Sequence, residues 1–165
     1  MRADDLADKL RQRWRDVVVA RGEATVTVDR GELLAALEYV RDEEDLSLRF
    51  LADVSCSDWP ARDPRIWMAY HLLSLEHGHR LRVKVGLAGD DLRIPSVVPI
   101  HPTANWQERE VFDMFGVTFE GHPDLRRILM PEDWEGYPLR KDHALGGVAT
   151  QYKGATVPPP DQRGL

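Results

Sequence analysis

The stretch from residue 106 to residue 142 constrains this chain more than any other part of it. It holds three phenylalanines, two tryptophans and a tyrosine among glycines, prolines and 14 charged residues. No helical or strand period accounts for its whole length. Large aromatics combined with residues that favour special backbone conformations indicate a segment shaped to fit something specific. That something could be a substrate, a metal ion or another protein.

Composition excludes several classes of protein. A chain of 165 residues suits one domain that can bury a core. Its 42% hydrophobic and 30% charged residues argue against wholesale disorder. A net charge of −6 disfavours a general nucleic-acid binder. Residues 106–142 hide no basic patch, because they carry nine acids and five bases.

Cysteine content and hydropathy narrow the field further. Cys56 is the only cysteine, which rules out an intrachain disulfide, a zinc site built from cysteine pairs, and an iron–sulfur cluster with the usual complement of about four thiolates. The first residues are charged rather than apolar, so they do not resemble a signal peptide. No apolar run approaches the roughly 20 residues that span a bilayer. We expect a cytosolic chain that reaches a membrane only through partners.

Apolar patterning predicts an α+β fold over residues 1–103. It indicates a helix over 4–19, a strand over 24–29, a helix beginning at residue 29 or 30, and strands over 46–54, 66–76 and 80–87. Alternation within the last strand favours antiparallel pairing with one wet face. We expect a small, mostly antiparallel or mixed sheet of about four strands, with helices on one face.

The second part of the chain is predicted to be less regular. Thr103 is a candidate N-cap for a helix over 104–115, and Gly116 ends it. Residues 117–142, here called the strap, are expected to be mostly irregular and extended. Residues 104–145 would form one structural unit with the 1–103 platform, and residues 146–165 would be a flexible tail rich in Pro and Gly.

Catalytic chemistry has weak support. The sequence contains no GxGxxG, GxxxxGK[ST] or GxSxG motif. Glu108, Glu110 and Asp113 invite general acid–base chemistry, but an ion-pairing helix face is favoured. His77 and His79 flank a turn glycine, which favours exposed turn histidines over a metal site. A hydrogen bond that orders a loop is favoured for His122.

The charge pattern of the strap favours protein contacts. Its Arg and Lys pairs alternate with Asp and Glu, so they would form ion pairs within the fold or with a partner rather than bind phosphate. Arg and large aromatics also dominate interface hot spots. The candidate interface residues are Glu108, Arg109, Glu110, Phe112, Asp113, Phe115, His122, Asp124, Arg126, Arg127, Trp134, Tyr137, Arg140, Lys141 and Asp142.

Three motifs in this stretch together resemble a family signature. EREVFDMFG spans residues 108–116, GHPDLRRILM spans 121–130 and WEGYPLRKD spans 134–142. They closely resemble the C subunit of proton-pumping NADH:quinone oxidoreductase, respiratory complex I, whose mitochondrial counterpart is the 30-kilodalton subunit. This resemblance is far more specific than any short catalytic motif.

The resemblance implies a non-catalytic structural subunit on the cytoplasmic side of the membrane. Such a subunit lies in the hydrophilic arm, against the 49-kilodalton-type quinone-site subunit and neighbouring cluster-bearing subunits. The complex transfers electrons from NADH to quinone and translocates protons. Other subunits hold the NADH, FMN, iron–sulfur clusters and quinone. The chain alone would have no activity and no catalytic, cofactor-binding or metal-binding residue.

Three alternatives stay open at this point. Related subunits serve membrane-bound hydrogenases and other respiratory dehydrogenases. A small stand-alone enzyme could use Glu110, Asp113 and His122 as acid–base groups, which would require a closed polar pocket around them; we expect an open, aromatic-lined surface instead. An assembly factor could also borrow this fold.

Overall fold

The computed structural model describes residues 1–143, 150–152 and 154–157. Within them the chain alternates helices and strands before it enters the strap. In chain order the elements are α1 Ala3–Arg11, β1 Val17–Ala20, β2 Glu23–Thr27, a 3₁₀ turn Arg30–Glu32, α2 Leu33–Asp42, β3 Phe50–Asp58, β4 Ile66–Leu73, β5 Arg80–Leu87, β6 Arg93–Pro95, α3 Ala104–Phe115, β7 Thr118–Glu120, β8 Thr150–Tyr152 and β9 Ala155–Val157.

The main sheet has five strands in the order β1-β2-β5-β4-β3. All neighbours are antiparallel except β2 and β5, which run parallel. One row across the sheet aligns Val26, Val83, Tyr70 and Val54, and all four are buried. The residues between them in each strand face the opposite, partly exposed side, as a period of two requires. The predicted α+β class with a mixed sheet is confirmed.

Three helices cover the buried face of this sheet. Leu6 of α1, Leu37 of α2 and Val111 of α3 belong to the same apolar cluster as Met68 and Val85 of the sheet. The predicted helices on one face are therefore present. Of the helices that the structure describes, none is long and apolar enough to cross a membrane.

The first predicted helix was too long. It ends at Arg11, and residues Val17–Ala20 form a strand instead. The next two residues, Arg21 and Gly22, have φ values of 55° and 77°, which turn the chain into a hairpin that pairs Val17 with Val26. Three consecutive β-branched valines suit a strand better than a helix, because their χ1 freedom is restricted against a helical turn.

The third predicted strand is displaced along the chain. It was predicted over 46–54, but β3 covers Phe50–Asp58. A bulge between Leu51 and Asp53 changes the alternation there. Phe50 is consequently 45% exposed, whereas Leu51 and Val54 are 3% and 4% exposed.

Other boundaries agree closely with the sequence predictions. The strand over 80–87 and the helix over 104–115 have the predicted ends, and Gly116 ends that helix with φ 79°. Thr103 lies at the N-cap, but its hydroxyl makes no capping hydrogen bond. The predicted strand over 66–76 stops at Leu73, because Gly78 with φ 66° closes the turn into β5.

Two short pairings were not anticipated. β6 and β7 run parallel, with Ile94 beside Phe119, so the first residues of the strap pair with the loop before α3. β8 and β9 form an antiparallel hairpin inside the segment predicted to be a flexible tail. The rest of residues 146–165 lies outside the described residues.

The bulge in β3 leads to a stability prediction. Leu51→Ala should reduce the free energy of unfolding by about 2–5 kcal/mol, because a buried side chain leaves a cavity. Phe50→Ala should change it by less than about 1 kcal/mol, because half of that ring is already in water. Urea unfolding of both variants measures the difference. A larger loss for Phe50→Ala would contradict the observed register.

Candidate interaction surface

The carboxylate of Asp113 fixes the middle of the strap to helix α3. Its Oδ2 accepts hydrogen bonds from the backbone N–H groups of Ile128, Leu129 and Met130 at 3.0, 2.8 and 2.8 Å. Its Oδ1 accepts one from Nη1 of Arg127. Burial works to raise the pKa of Asp113, but these four bonds outweigh it and hold the pKa below its usual value. Asp113 is therefore a buried charge that organises irregular backbone.

Arg109 reinforces the same attachment from one turn earlier in α3. Residues four apart lie on one face of a helix, so Arg109 and Asp113 reach the same part of the strap. Arg109 donates from Nε to the carbonyl of Arg126 at 3.2 Å and from Nη2 to that of Arg127 at 3.1 Å. Its guanidinium carbon also lies 5.1 Å from the centre of the Trp106 ring. Helix α3 thus binds both carbonyls and amides of residues 126–130.

A second attachment lies at the end of α3. A Cβ at Gly116 would be 2.6 Å from the ring of Tyr137, so only glycine allows this ring to pack there. The Arg127 guanidinium stands 5.5 Å from the centre of the same ring. The amide of Leu139 donates to the carbonyl of Met114 at 3.1 Å. These contacts hold the later part of the strap against the C-terminal end of α3.

The last attachment joins the strap to strand β3. The side chain of Asp58 is fully buried and receives two hydrogen bonds from Arg65, at 2.7 and 2.8 Å, and one from the Lys141 amide at 2.8 Å. Asp142 lies 3.1 Å from Arg65 and also pairs with Arg140 through two bonds of 3.0 and 2.9 Å. Hydrogen bonding from Arg65 lowers the pKa of Asp58.

Glu108 is a second buried carboxylate on α3, in a different environment. Its oxygens accept hydrogen bonds from the Val97 amide and the Ser96 hydroxyl, both at 2.7 Å. No Lys or Arg pairs with it among the described residues, and burial raises its pKa to about 7. Glu108 therefore orders the loop before α3 and holds a proton more tightly than an exposed glutamate.

His122 orders the beginning of the strap, as predicted. Its Nε2 lies 3.0 Å from the carbonyl of Asn105, and its Nδ1 accepts the Asp124 amide at 3.0 Å. This pair of bonds assigns the neutral tautomer with the proton on Nε2. The side chain is fully buried, and Nε2 lies 4.0 Å from Glu108.

The structure divides the predicted interface residues into two groups. Some are enclosed or partly enclosed within the molecule, and the others are exposed to solvent. The enclosed or partly enclosed residues are Glu108, Arg109, Phe112, Asp113, Phe115, His122, Arg127, Tyr137 and Arg140. The exposed residues are Glu110, Asp124, Arg126, Trp134, Lys141 and Asp142.

Sequence reasoning missed Asp58 and Arg65, which anchor the end of the strap. Asp58 lies 83 residues before Lys141, and nothing in the local pattern around it differs from an ordinary strand end. It also missed the outward-facing apolar side chains of Leu129 and Leu139, which are 60% and 51% exposed. The sequence alone does not show whether a leucine in such an irregular segment is exposed or buried.

The histidine pair of the β4–β5 turn differs from its prediction. Both rings were expected to be exposed, but His79 is only 4% exposed and stacks on His77 with the ring centres 5.7 Å apart. Burial lowers the pKa of His79. Within residues 1–143 and the two short described stretches, no group of three or more His, Cys, Asp or Glu side chains could hold a metal ion.

The positions of Glu110, Asp113 and His122 do not support the alternative of a stand-alone acid–base enzyme. Glu110 is exposed, Asp113 is saturated with donors, and both nitrogens of His122 are engaged. The three side chains do not converge on a shared polar pocket in the described part of the chain. The depressions near the strap are open, and Phe115 and Leu139 line both of them. This is the surface expected for contact rather than catalysis.

Sequence comparison places this architecture in a family. The model of the family described as respiratory-chain NADH dehydrogenase, 30 Kd subunit, matches residues 26–149. The chain belongs to this family. The recognition based on the three motifs of residues 108–142 is thereby confirmed.

Individual relatives agree with the family match. The C subunit of NADH-quinone oxidoreductase from Nocardioides sp. is 48% identical over 170 residues, which cover 97% of this chain and 68% of that protein. The corresponding protein of Saccharopolyspora erythraea, which has the same name, is 51% identical over 148 residues, which cover 89% and 59%. The chain thus spans 68% and 59% of the lengths of these two relatives.

Two solved structures share the fold. A trypsin-resistant fragment of Nqo5 matches with a TM-score of 0.63 and 29% identity, over 74% of this chain and 98% of the fragment. A chain of the membrane-bound sulfane sulfur reductase, an archaeal respiratory membrane complex, matches with a TM-score of 0.75 and 26% identity, over 86% and 85%.

The Asp113 attachment predicts a graded loss of stability. Asp113→Ala should cost about 3–5 kcal/mol, because Arg127 and three amides lose their buried acceptor. Asp113→Asn should cost less, because a carbonyl oxygen can still accept from the amides. Urea unfolding measures both, and hydrogen exchange at residues 128–130 should accelerate. Glu110→Ala, an exposed carboxylate on the same helix, should stay within about 0.5 kcal/mol of the parent protein.

The raised pKa of Glu108 predicts a pH dependence of stability. The folded protein binds this proton up to about pH 7, whereas the unfolded chain releases it near pH 4.5. The contribution of Glu108 is therefore present at acid pH and declines as the pH rises through that window. Relative to the parent protein, Glu108→Gln should gain roughly 1–3 kcal/mol between pH 5 and pH 8. A pH-independent difference between the two unfolding curves would contradict this assignment.

Proposed function

We propose that this chain is a non-catalytic structural subunit of a proton-pumping NADH:quinone oxidoreductase. The supporting observation is the strap, an irregular segment held against α3 and β3 by buried Asp113 and Asp58. A segment fixed in this way presents its outward side chains in one arrangement before any partner arrives. Relatives at 48% and 51% identity are named as the C subunit of NADH-quinone oxidoreductase, which connects this surface to that complex.

The redox groups of such a complex would be held by other subunits. Cys56 is the only cysteine of the chain, whereas an iron–sulfur cluster normally takes about four thiolates. Burial also raises the pKa of Cys56 to about 12, so it is a poor source of thiolate at neutral pH. We accordingly assign NADH, FMN, clusters and quinone to its partners.

The outward face of the strap is suited to a protein partner. Leu129, Trp134 and Leu139 are 60%, 39% and 51% exposed, and residues 131–136 are all exposed. Exposed tryptophan and leucine beside arginine form the kind of surface that concentrates binding energy. The proposed occupant is the 49-kilodalton-type quinone-site subunit, with cluster-bearing subunits nearby. Attachment to the cytoplasmic side of the membrane would follow from this contact.

An equivalent subunit of another respiratory membrane complex is a second candidate. The observation in its favour is the sulfane sulfur reductase chain, whose fold matches over more of this chain than the Nqo5 fragment does. The two candidates share a structural role and differ in the electron donor that partner subunits recognise. Purification of the assembled complex and assay of its NADH oxidation distinguish them.

The proposal predicts a specific assembly defect. In its native membranes the chain should co-purify with the quinone-site subunit and with NADH:quinone oxidoreductase activity. The double variant Leu129→Ala and Trp134→Ala should lower the recovered complex about tenfold or more, because two exposed anchors are lost. The thermal stability of the isolated chain should hardly change. Unaltered assembly would contradict the proposed role of the strap.

Leu75→Ala provides the matched control for this experiment. Leu75 is 76% exposed, but it lies in the turn between β4 and β5 rather than on the strap. Its truncation removes one exposed leucine side chain, as Leu129→Ala alone does, and should leave assembly unchanged. Equal defects in both variants would indicate a general loss of surface hydrophobicity instead.

A further inference from the structure

Strand β3 is an open edge of the main sheet. It pairs with β4 on one side and has no strand on the other among the described residues. At its end the Trp59 amide donates to the Arg65 carbonyl at 2.9 Å, which makes Trp59 and Arg65 a hydrogen-bonded pair. Such pairs alternate with non-hydrogen-bonded pairs along an antiparallel ladder. This alternation determines which backbone groups of β3 are left without a partner.

The register of β3 against β4 shows that alternate residues of β3 carry the free backbone groups. Counting from Trp59, Ser57 opposite Trp67 and Ser55 opposite Ala69 are also hydrogen-bonded pairs. The intervening residues Val54 and Cys56 direct their N–H and C=O groups away from β4.

The pairing on the far side of β4 supports the same assignment. The Ser74 amide donates to the His79 carbonyl at 3.0 Å, so the hydrogen-bonded pairs of β4 with β5 include Tyr70 and Met68. These two residues stand opposite Val54 and Cys56. Since Tyr70 and Met68 direct their backbone groups to β5, they are not available to β3.

Part of this edge is already covered, and part is open. The Ala52 carbonyl accepts a hydrogen bond from Gln107 of α3 at 3.2 Å. The amides of Val54 and Cys56 donate to no side chain or loop in the described part of the chain, and their carbonyls accept from none. Unpaired backbone groups on an edge strand are a template for another strand.

A groove runs beside these open groups. It has a volume of about 290 Å³ and lies between residues 53–56 and the side chains of Val111, Met114, Phe115 and Leu139. A second depression of about 710 Å³ shares Cys56, Phe115 and Leu139 and continues to Trp59 and Pro60. The first groove has both polar and apolar walls, and the second depression is mainly apolar. An occupant would therefore bury apolar side chains against Phe115 and Leu139 while its backbone pairs with β3.

The charges that line the groove restrict the occupant further. Asp53 and Glu110 both line it, both are exposed, and neither forms an ion pair with any described residue. Two free carboxylates on the walls of one groove favour a lysine or arginine in the partner. A second copy of this edge would bring like charges together, so self-association is disfavoured.

We propose that an extended segment of a partner subunit, with apolar side chains and a Lys or Arg facing Asp53 and Glu110, adds to the sheet beside β3. Backbone hydrogen bonds to Val54 and Cys56 would fix its register, and the groove would select its side chains. The proposal rests on the proposed function, because the partner belongs to the same complex. It adds a contact on β3, next to the strap.

Photo-crosslinking in the intact complex tests the location. A photoreactive amino acid at Ser55, beside the open edge, should crosslink to one short stretch of another subunit. The same group at Thr25 is the control, because Thr25 occupies the same partly exposed face on the interior strand β2. Crosslinks from Ser55 only to residues 144–165 of this chain, to a second copy, or to no other subunit would overturn the proposal.

Charge reversal tests the chemistry of the occupant. Asp53→Lys with Glu110→Lys should reduce the Ser55 crosslink about tenfold, while the melting temperature of the isolated chain stays within a few degrees. Glu38→Lys with Glu44→Lys reverses two exposed acids elsewhere and should leave the crosslink intact. An unchanged crosslink in the first variant would refute the basic occupant. Co-purification of the parent chain with the quinone-site subunit is measured separately. Its absence would contradict the proposed function, whereas co-purification without the Ser55 crosslink would contradict only the contact on β3.

Discussion

The hydrogen bonds to one buried carboxylate, that of Asp113, determine where the strap runs. Irregular backbone lacks the regular bonding of a helix or sheet, and each buried amide without an acceptor is costly. Asp113 supplies that acceptor to three consecutive amides and neutralises its own charge with Arg127. At the other end of the strap, Asp58 accepts a hydrogen bond from one amide, that of Lys141, and is neutralised by Arg65. Side-chain carboxylates here accept hydrogen bonds from backbone amides, as the carbonyls of a neighbouring strand do in a sheet.

This arrangement has a consequence for binding. Ordering a backbone residue costs on the order of 1–2 kcal/mol, and a flexible strap would lose that free energy when a partner bound. A strap that is already attached through Asp113, Gly116 and Asp58 avoids much of the loss, so more of the contact energy becomes affinity. The buried polar residues therefore contribute to recognition without touching the partner. Exposed residues such as Trp134 would make the contacts.

The sequence predicts best where a local pattern decides the structure. Alternation over 80–87 and the helical period over 104–115 gave correct elements, because the burial of each residue follows from its near neighbours. The Val17–Ala20 strand and the bulge at Leu51 depend on pairing partners that are set by the whole sheet. The bond between Asp58 and Lys141 joins residues 83 apart, and no short-range pattern encodes it. The three motifs of residues 108–142 could be recognised, but the contacts they make within the molecule could not be read from composition.

Glu108 and Asp113 show why spacing alone misleads about chemistry. Both are fully buried carboxylates on one helix, and both suggested acid–base catalysis in the sequence. Burial dominates for Glu108, which has two donors and no cation, so its pKa rises. Three amides and a guanidinium outweigh burial for Asp113, so its pKa falls. The count of donors around each carboxylate, rather than its position on the helix, sets its protonation. Both carboxylates accept hydrogen bonds from backbone and side-chain groups of this same chain. They therefore act here as structural groups.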